Sequence, residues 1–271
     1  MITGLSDRLI YMSYLEELNL GHWSCLGLSL MSDHNQFDGF ALEFLQRLKV
    51  LKLHNVSEKF FQAIGSYCPN LQRLHIFASD ITNAVAWWVS KCQSLETIEL
   101  FDVKDLQPIG YAQILQSNPN LKSLGKCDCF GQVLSLLYDK FSDYRRSYGC
   151  NLPEHLSLEE VDTNEIFQPS ELKYMVKRCP NLKKLRFRYS RKQYQEGEHE
   201  TDHLAELCAF DYLTQLSITR AHFFEHHIFQ YLEVRGNQVF KVLAYDCEHV
   251  SELPLCLDCS FGARGYRRSQ P

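Results

Sequence analysis

A single apolar phrase, Leu-x-x-Leu-x-Leu, returns down almost the whole chain and constrains its fold more than any other feature. Leu15, Leu18 and Leu20 set it, and Leu48-Leu51-Leu53, Leu71-Leu74-Ile76, Leu95-Ile98-Leu100, Leu182-Leu185-Phe187 and Leu213-Leu216-Ile218 repeat it. Weaker copies stand at Leu121-Leu124, Leu156-Leu158 and Val239-Val242-Ala244. A unit recurring every roughly 23 to 34 residues cannot bury its apolar face alone and must stack on its neighbours, so the pattern predicts a solenoid. Such an array grows by addition, and the 271 residues need hold only one elongated domain. We place it at residues 1–259, irregular over about 127–155. A disordered tail is expected at 260–271, where Arg264, Arg267 and Arg268 stand among small and polar residues.

Residues 71 to 95 show how one unit is built. Leu71-Gln72-Arg73-Leu74-His75-Ile76-Phe77 alternates apolar and polar, the period of a half-buried strand. Ser79-Asp80-Ile81-Thr82-Asn83 then offers capping side chains ahead of Ala84-Val85-Ala86-Trp87-Trp88-Val89, which suits a packed helix. The same grammar predicts helices at Ser57 to Tyr67, Pro108 to Gln116, Ser170 to Lys177, Asp202 to Cys208 and His222 to Leu232. Several strands are preceded by a cysteine corner: Cys68-Pro69-Asn70-Leu71, Cys92-Gln93-Ser94-Leu95 and Cys179-Pro180-Asn181-Leu182. A fourth, Asn118-Pro119-Asn120-Leu121, has asparagine in the cysteine's place. Cysteine is small, apolar and a weak donor, which fits a tight buried corner.

The Cys-Pro-Asn-Leu corner, the Leu-x-x-Leu-x-Leu strand and the following Ile81-Thr82-Asn83 closely resemble the cysteine-containing class of leucine-rich repeats. That class is typical of F-box/leucine-rich-repeat proteins, the substrate receptors of cullin-RING ubiquitin ligases of the SCF type. The resemblance covers about residues 45 to 125 and 170 to 220. It implies an α/β leucine-rich-repeat horseshoe, with a concave parallel β-sheet inside and convex helices outside. It also implies a non-enzymatic substrate-recognition scaffold whose partners are a protein substrate and a ligase adaptor subunit. The family's F-box lies before the repeats, whereas here the first strand phrase already begins at Leu15. Met1 to Tyr14 reads instead as the end of a preceding repeat's helix, either capping the array or continuing something longer. A structural adaptor without ligase contact, or a truncated product, is the alternative.

Period-two alternation decides which side chains stand on the open face of such a sheet. The predicted columns are Glu17 and Asn19; Lys52 and His54; Arg73, His75 and Phe77; Thr97, Glu99 and Phe101. They continue with Ser157 and Glu159; Lys184, Arg186 and Arg188; and Gln215, Ser217 and Thr219. Of these, Lys52, His54, Arg73, His75, Phe77, Glu99, Phe101, Lys184, Arg186 and Arg188 are the candidate partner-binding residues. Phe77 and Phe101 hold the same place in successive repeats, so they either lie side by side on the open face or turn inward. Lys183, Lys184, Arg186, Arg188, Arg191 and Lys192 concentrate positive charge that suits an acidic or phosphorylated peptide. The alternative is a solvated patch balanced by the acidic loop Glu196-Gly197-Glu198-His199-Glu200.

Other chemistries are weaker. The chain is 45% apolar and 23% charged with a net charge of −5, against a general nucleic-acid binder. No apolar run approaches the roughly 18 residues that span a bilayer, and the N-terminal segment does not read as a signal peptide. Eleven cysteines, an odd number, point to thiols in a reducing compartment, hence cytoplasmic or nuclear. His222-Phe223-Phe224-Glu225-His226 spells a zinc-protease motif, but its histidines fall opposite the helix's apolar stripe of Phe224, Ile228 and Leu232. Cys247, Cys256 and Cys259 with His249 lack the second well-spaced pair of a zinc site, and Cys127-Asp128-Cys129 reads as part of an irregular strand. A zinc-dependent enzyme or zinc-stabilised module is therefore a remote alternative. No catalytic residue, metal or cofactor is expected.

Overall fold

The computed structural model describes residues 15–19, 45–54, 58–77, 82–101, 105–139, 154–165, 167, 169–188, 209–219 and 241–245. They belong to two compact units, residues 1–158 and 159–271. The first unit alternates strand and helix: β1 (Glu17–Asn19), β2 (Val50–His54), α1 (Glu58–Tyr67), β3 (Arg73–Phe77), α2 (Asn83–Val89), β4 (Thr97–Phe101), α3 (Pro108–Ser117), β5 (Ser123–Lys126) and α4 (Phe130–Tyr138). The second has β6 (Glu160–Asp162), α5 (Pro169–Arg178), β7 (Lys184–Arg188), β8 (Gln215–Thr219) and β9 (Lys241–Tyr245). Within each unit every strand pairs in parallel with the next in sequence. In the first, helices α1 to α4 pack in the same order. Strand, return helix and in-order parallel pairing make an α/β solenoid of the leucine-rich-repeat type.

The apolar phrase dictates this stacking. Leu51, Leu74 and Ile98 form one rank across β2, β3 and β4, and Leu53, Ile76 and Leu100 form the next. All six are buried. The leading leucines Leu48, Leu71, Leu95, Leu121, Leu158, Leu182 and Leu213 are buried just before their strands. There a single carbonyl accepts from two successive N–H groups of the next repeat. Lys49 O takes Gln72 N and Arg73 N at 2.8 and 2.9 Å, Gln72 O takes Glu96 N and Thr97 N at 2.8 and 3.0 Å, and Lys183 O takes Thr214 N and Gln215 N at 2.8 and 3.0 Å.

The cysteine corners are buried as the sequence implies. Ile64 O, near the end of α1, accepts from Cys68 N at 2.9 Å and from Cys92 Sγ, one repeat on, at 3.7 Å. The thiol thus adds a second, weak donor from the next repeat to a carbonyl in the last turn of the helix. At the asparagine corner the side chain serves its own helix: Asn118 Nδ2 donates to Ile114 O at 2.9 Å, while buried Oδ1 has no hydrogen-bond partner among the described residues. Burial pushes the Cys92 and Cys179 thiols up to about 12 from an ordinary 9.0. It raises Cys68 further, with a smaller contribution from Cys92.

Four expectations are corrected. Leu156-Leu158 is not a strand phrase: β6 follows at Glu160–Asp162, with Leu158 in the place of Leu182 and with Val161 and Thr163 buried behind the sheet. The columns there are therefore Glu160 and Asp162, not Ser157 and Glu159, because a slip in register turns each side chain to the other face. Ser217 is buried rather than open, a short side chain beside the much longer Arg186. Thr82 is the N-cap of α2 but makes no side-chain capping bond; Asn83 Oδ1 instead accepts from Gln107 N at 3.1 Å. Cys127-Asp128-Cys129 is the turn leading from β5 into α4, not a strand. The helices expected at 202–208 and 222–232 lie outside the described residues, as do the His222 motif, the Cys247 cluster and the tail from 260.

Candidate functional site: the open face of the sheet

Side chains opposite the helices stand in columns because the strands are in register. In the first unit the outermost column is aromatic. His54, Phe77 and Phe101 are paired across β2, β3 and β4. The His54 and Phe77 rings stack with centroids 4.4 Å apart at 8°, and Phe77 and Phe101 at 4.5 Å and 3°. Neither phenylalanine turns inward; Phe77 is half-buried within the stack and Phe101 is 43% exposed. Parallel strands lie about 4.8 Å apart, so in-register rings are held at stacking distance by the backbone itself.

The column beside it is polar. Lys52, His75 and Glu99 are in register. His75 Nδ1 donates to Glu99 Oε2 at 2.6 Å, and Lys52 Nζ lies 3.7 Å from Glu17 Oε1. Arg73 is exposed in the third column, between Val50 and Thr97. The structure thus gathers Lys52, His54, Arg73, His75, Phe77, Glu99 and Phe101 on three neighbouring strands.

Lys184, Arg186 and Arg188 stand together on β7 in the second unit, and the charges of Lys184 and Arg186 are answered one strand away. Lys184 Nζ pairs with Glu160 Oε1, Arg186 Nη1 lies 3.5 Å from Asp162 Oδ2, and neighbouring Lys183 Nζ lies 2.8 Å from Glu159 Oε2. Among the described residues, the carboxylates that pair with the basic strand and its entry are those of β6 and its entry; the loop 196–200 lies outside the described residues. Sequence reasoning missed Glu160 and Asp162, although each sits 24 positions before its partner, one repeat back. Arg188 is half-buried and its Nε has no hydrogen-bond partner among the described residues.

Elsewhere, Trp87 is exposed on α2 with Lys91 Nζ 3.7 Å over its ring. Cys127 Sγ and Cys129 Sγ are 3.8 Å apart. Among the described residues, no group of three or more His, Cys, Asp and Glu side chains is placed to hold a metal ion. No described helix is long and apolar enough to cross a membrane.

No protein-family model and no curated protein matches the chain. Among solved structures, it is similar to an internalin from Listeria monocytogenes at 13% identity and a TM-score of 0.45. That likeness covers 88% of this chain and 62% of the internalin, so the chain spans less than two thirds of it. A Bacteroides fragilis protein is similar at 12% identity and a TM-score of 0.37, over 77% of this chain and 59% of that one.

Proposed function

We propose that this chain is a protein-interaction scaffold without catalytic activity of its own. In this reading it holds its partner on the open face of β2, β3 and β4, and its finer role is substrate recognition for a cullin-RING ubiquitin ligase. The observation that carries the binding role is the stacked column of His54, Phe77 and Phe101, with Phe101 left 43% exposed. An exposed aromatic in a rigid, in-register row costs little conformational entropy to dock against, the character of an interface anchor. What supports the ligase role is the resemblance of the cysteine corners to F-box/leucine-rich-repeat proteins.

Affinity purification of the intact chain from its own cells, followed by mass spectrometry, tests both levels. Recovery of a cullin and its adaptor is expected, together with a substrate that is lost from the Phe77→Ala/Phe101→Ala variant. Partners without any ligase subunit would reduce the role to that of an adaptor. Partners indifferent to the aromatic pair would move the binding site off this face.

A further inference from the structure

Among the described residues the aromatic column is unfinished at one end, and the reason lies in the next strand. Phe77 has a ring on each face, His54 on one and Phe101 on the other. Among the described residues, Phe101 has a ring on one face only. Its next neighbour would come from β5, which is in register with β4 at Thr97 and Ser123. Two residues later Gly125 takes a left-handed φ of +67°, and an added Cβ there would lie 2.9 Å from Glu99 Cα. The burial pattern slips by one: Leu124 is buried, Lys126 is exposed and Cys127 is buried. With Lys126, Cys127 and Asp128 at this end of the rank, β5 supplies no ring to continue the stack.

Charge selects what fits the uncovered face. Glu99 precedes Phe101 by two residues on the same side of β4, and its side chain is 37% exposed. One of its oxygens, Oε2, accepts from His75 Nδ1 at 2.6 Å; a carboxylate has capacity for further donors, and Oε1 can take them. The group that belongs here is flat, stacks on a ring and donates to a carboxylate, which describes a guanidinium. A lysine ammonium has the charge but no flat face. A second aromatic ring has the face but gives Glu99 Oε1 no donor, and a carboxylate or phosphate is repelled by Glu99. The chain's net charge of −5 steers cationic segments toward it.

We propose that Phe101 and Glu99 form the anchor site for an arginine of the partner protein. Its guanidinium continues the stack beyond Phe101 and donates to Glu99 Oε1. This rests on the scaffold reading above and gives it a recognition chemistry opposite to that of the basic strand, where Lys183, Lys184 and Arg186 already face Glu159, Glu160 and Asp162.

A phage-displayed library of short random peptides, selected on the intact chain, provides the probe, with affinities of the enriched peptides then measured by fluorescence polarisation. Arginine is expected at one fixed position, and its replacement by lysine should weaken binding about tenfold. Phe101→Leu, which keeps apolar bulk and removes the ring, and Glu99→Gln should each weaken binding by about tenfold with unchanged thermal midpoints. An acidic or aromatic consensus, peptides indifferent to Phe101, or an empty selection would each overturn the arginine anchor. If proteins still co-purify and depend on the aromatic pair, only the anchor chemistry is lost. If nothing co-purifies either, the scaffold reading falls with it.

Discussion

Gly125 is the residue on which β5 turns. Its φ of +67° is a conformation that L side chains avoid at a cost of about 1–2 kcal/mol, and an added Cβ would press on the backbone of Ile98, Glu99 and Leu100. Gly125→Ala should therefore destabilise the first unit by about 2–3 kcal/mol, read as a lower urea midpoint. Asn118 has the opposite expectation. Its buried Oδ1 lacks a partner among the described residues, and its own backbone N–H already donates to Ile114 O at 3.0 Å. Asn118→Cys, restoring the residue of the sibling corners, should raise stability by about 1 kcal/mol. The corner thiols predict alkaline lability. Burial holds Cys92 and Cys179 protonated up to about 12, whereas unfolding returns them to about 9. The stability linked to each is complete below pH 9 and falls by about 1.4 kcal/mol per pH unit as pH rises toward 12. Urea midpoints across that range should flatten in Cys92→Ala and Cys179→Ala, and equal slopes in variant and parent would refute the assignment. The corners were legible because a cysteine before Pro-Asn-Leu is an unusual signal. The orphaned oxygen of Asn118 was not, since it depends on what surrounds the side chain.

At the scale of the strand, one register gives two chemistries. Ring above ring across β2 to β4 builds a hydrophobic anchor, while cation beside anion across β6 and β7 builds a charge-paired surface. These ion pairs are half exposed, and each is worth at most about 1 kcal/mol. Reversing one is a different matter. Arg186→Glu places a carboxylate directly opposite Asp162 and near Glu160, so it should lower the thermal midpoint, whereas Arg186→Gln should leave it nearly unchanged. Equal midpoints for the two variants would show that the cross-strand charges are already screened. Where the phrase was complete, as in Leu71-Leu74-Ile76, strand and facing were both legible from sequence. Around Leu158 the third apolar place is taken by Thr163, a polar residue that is nonetheless buried, and the alternation Leu156-Leu158 stood out instead. That substitution hid β6, and with it the carboxylates that pair with the basic strand. The insertion at Gly125 hid the end of the aromatic stack in the same way.

Over the whole molecule, each unit is held by contacts between neighbours in sequence: β1 with β2, β2 with β3, β3 with β4, β7 with β8 and β8 with β9. In such an array stability is close to a sum of repeat terms and nearest-neighbour interfaces, so disturbance fades with distance along the chain. Leu74 is a fair place to disturb it, because it is fully buried on β3 between Leu51 and Ile98. Leu74→Ala should cost about 2–5 kcal/mol locally. Native-state hydrogen exchange followed by mass spectrometry should then show faster exchange in peptides covering β2, β3, β4, α1 and α2, with little change in those covering β7 and β8. In the parent chain, β1, paired on one side only among the described strands, should exchange faster than β3 and β4, each paired on both sides. If instead β7 and β8 accelerate as much as β3, the two units open as one cooperative block, and the additive description of this solenoid is wrong. The outcome bears on binding as well. A partner seated on β2 to β4 of an additive array should protect the amides of the first unit and leave those of β7 and β8 unaltered, so one exchange experiment on the complex would locate the occupied strands.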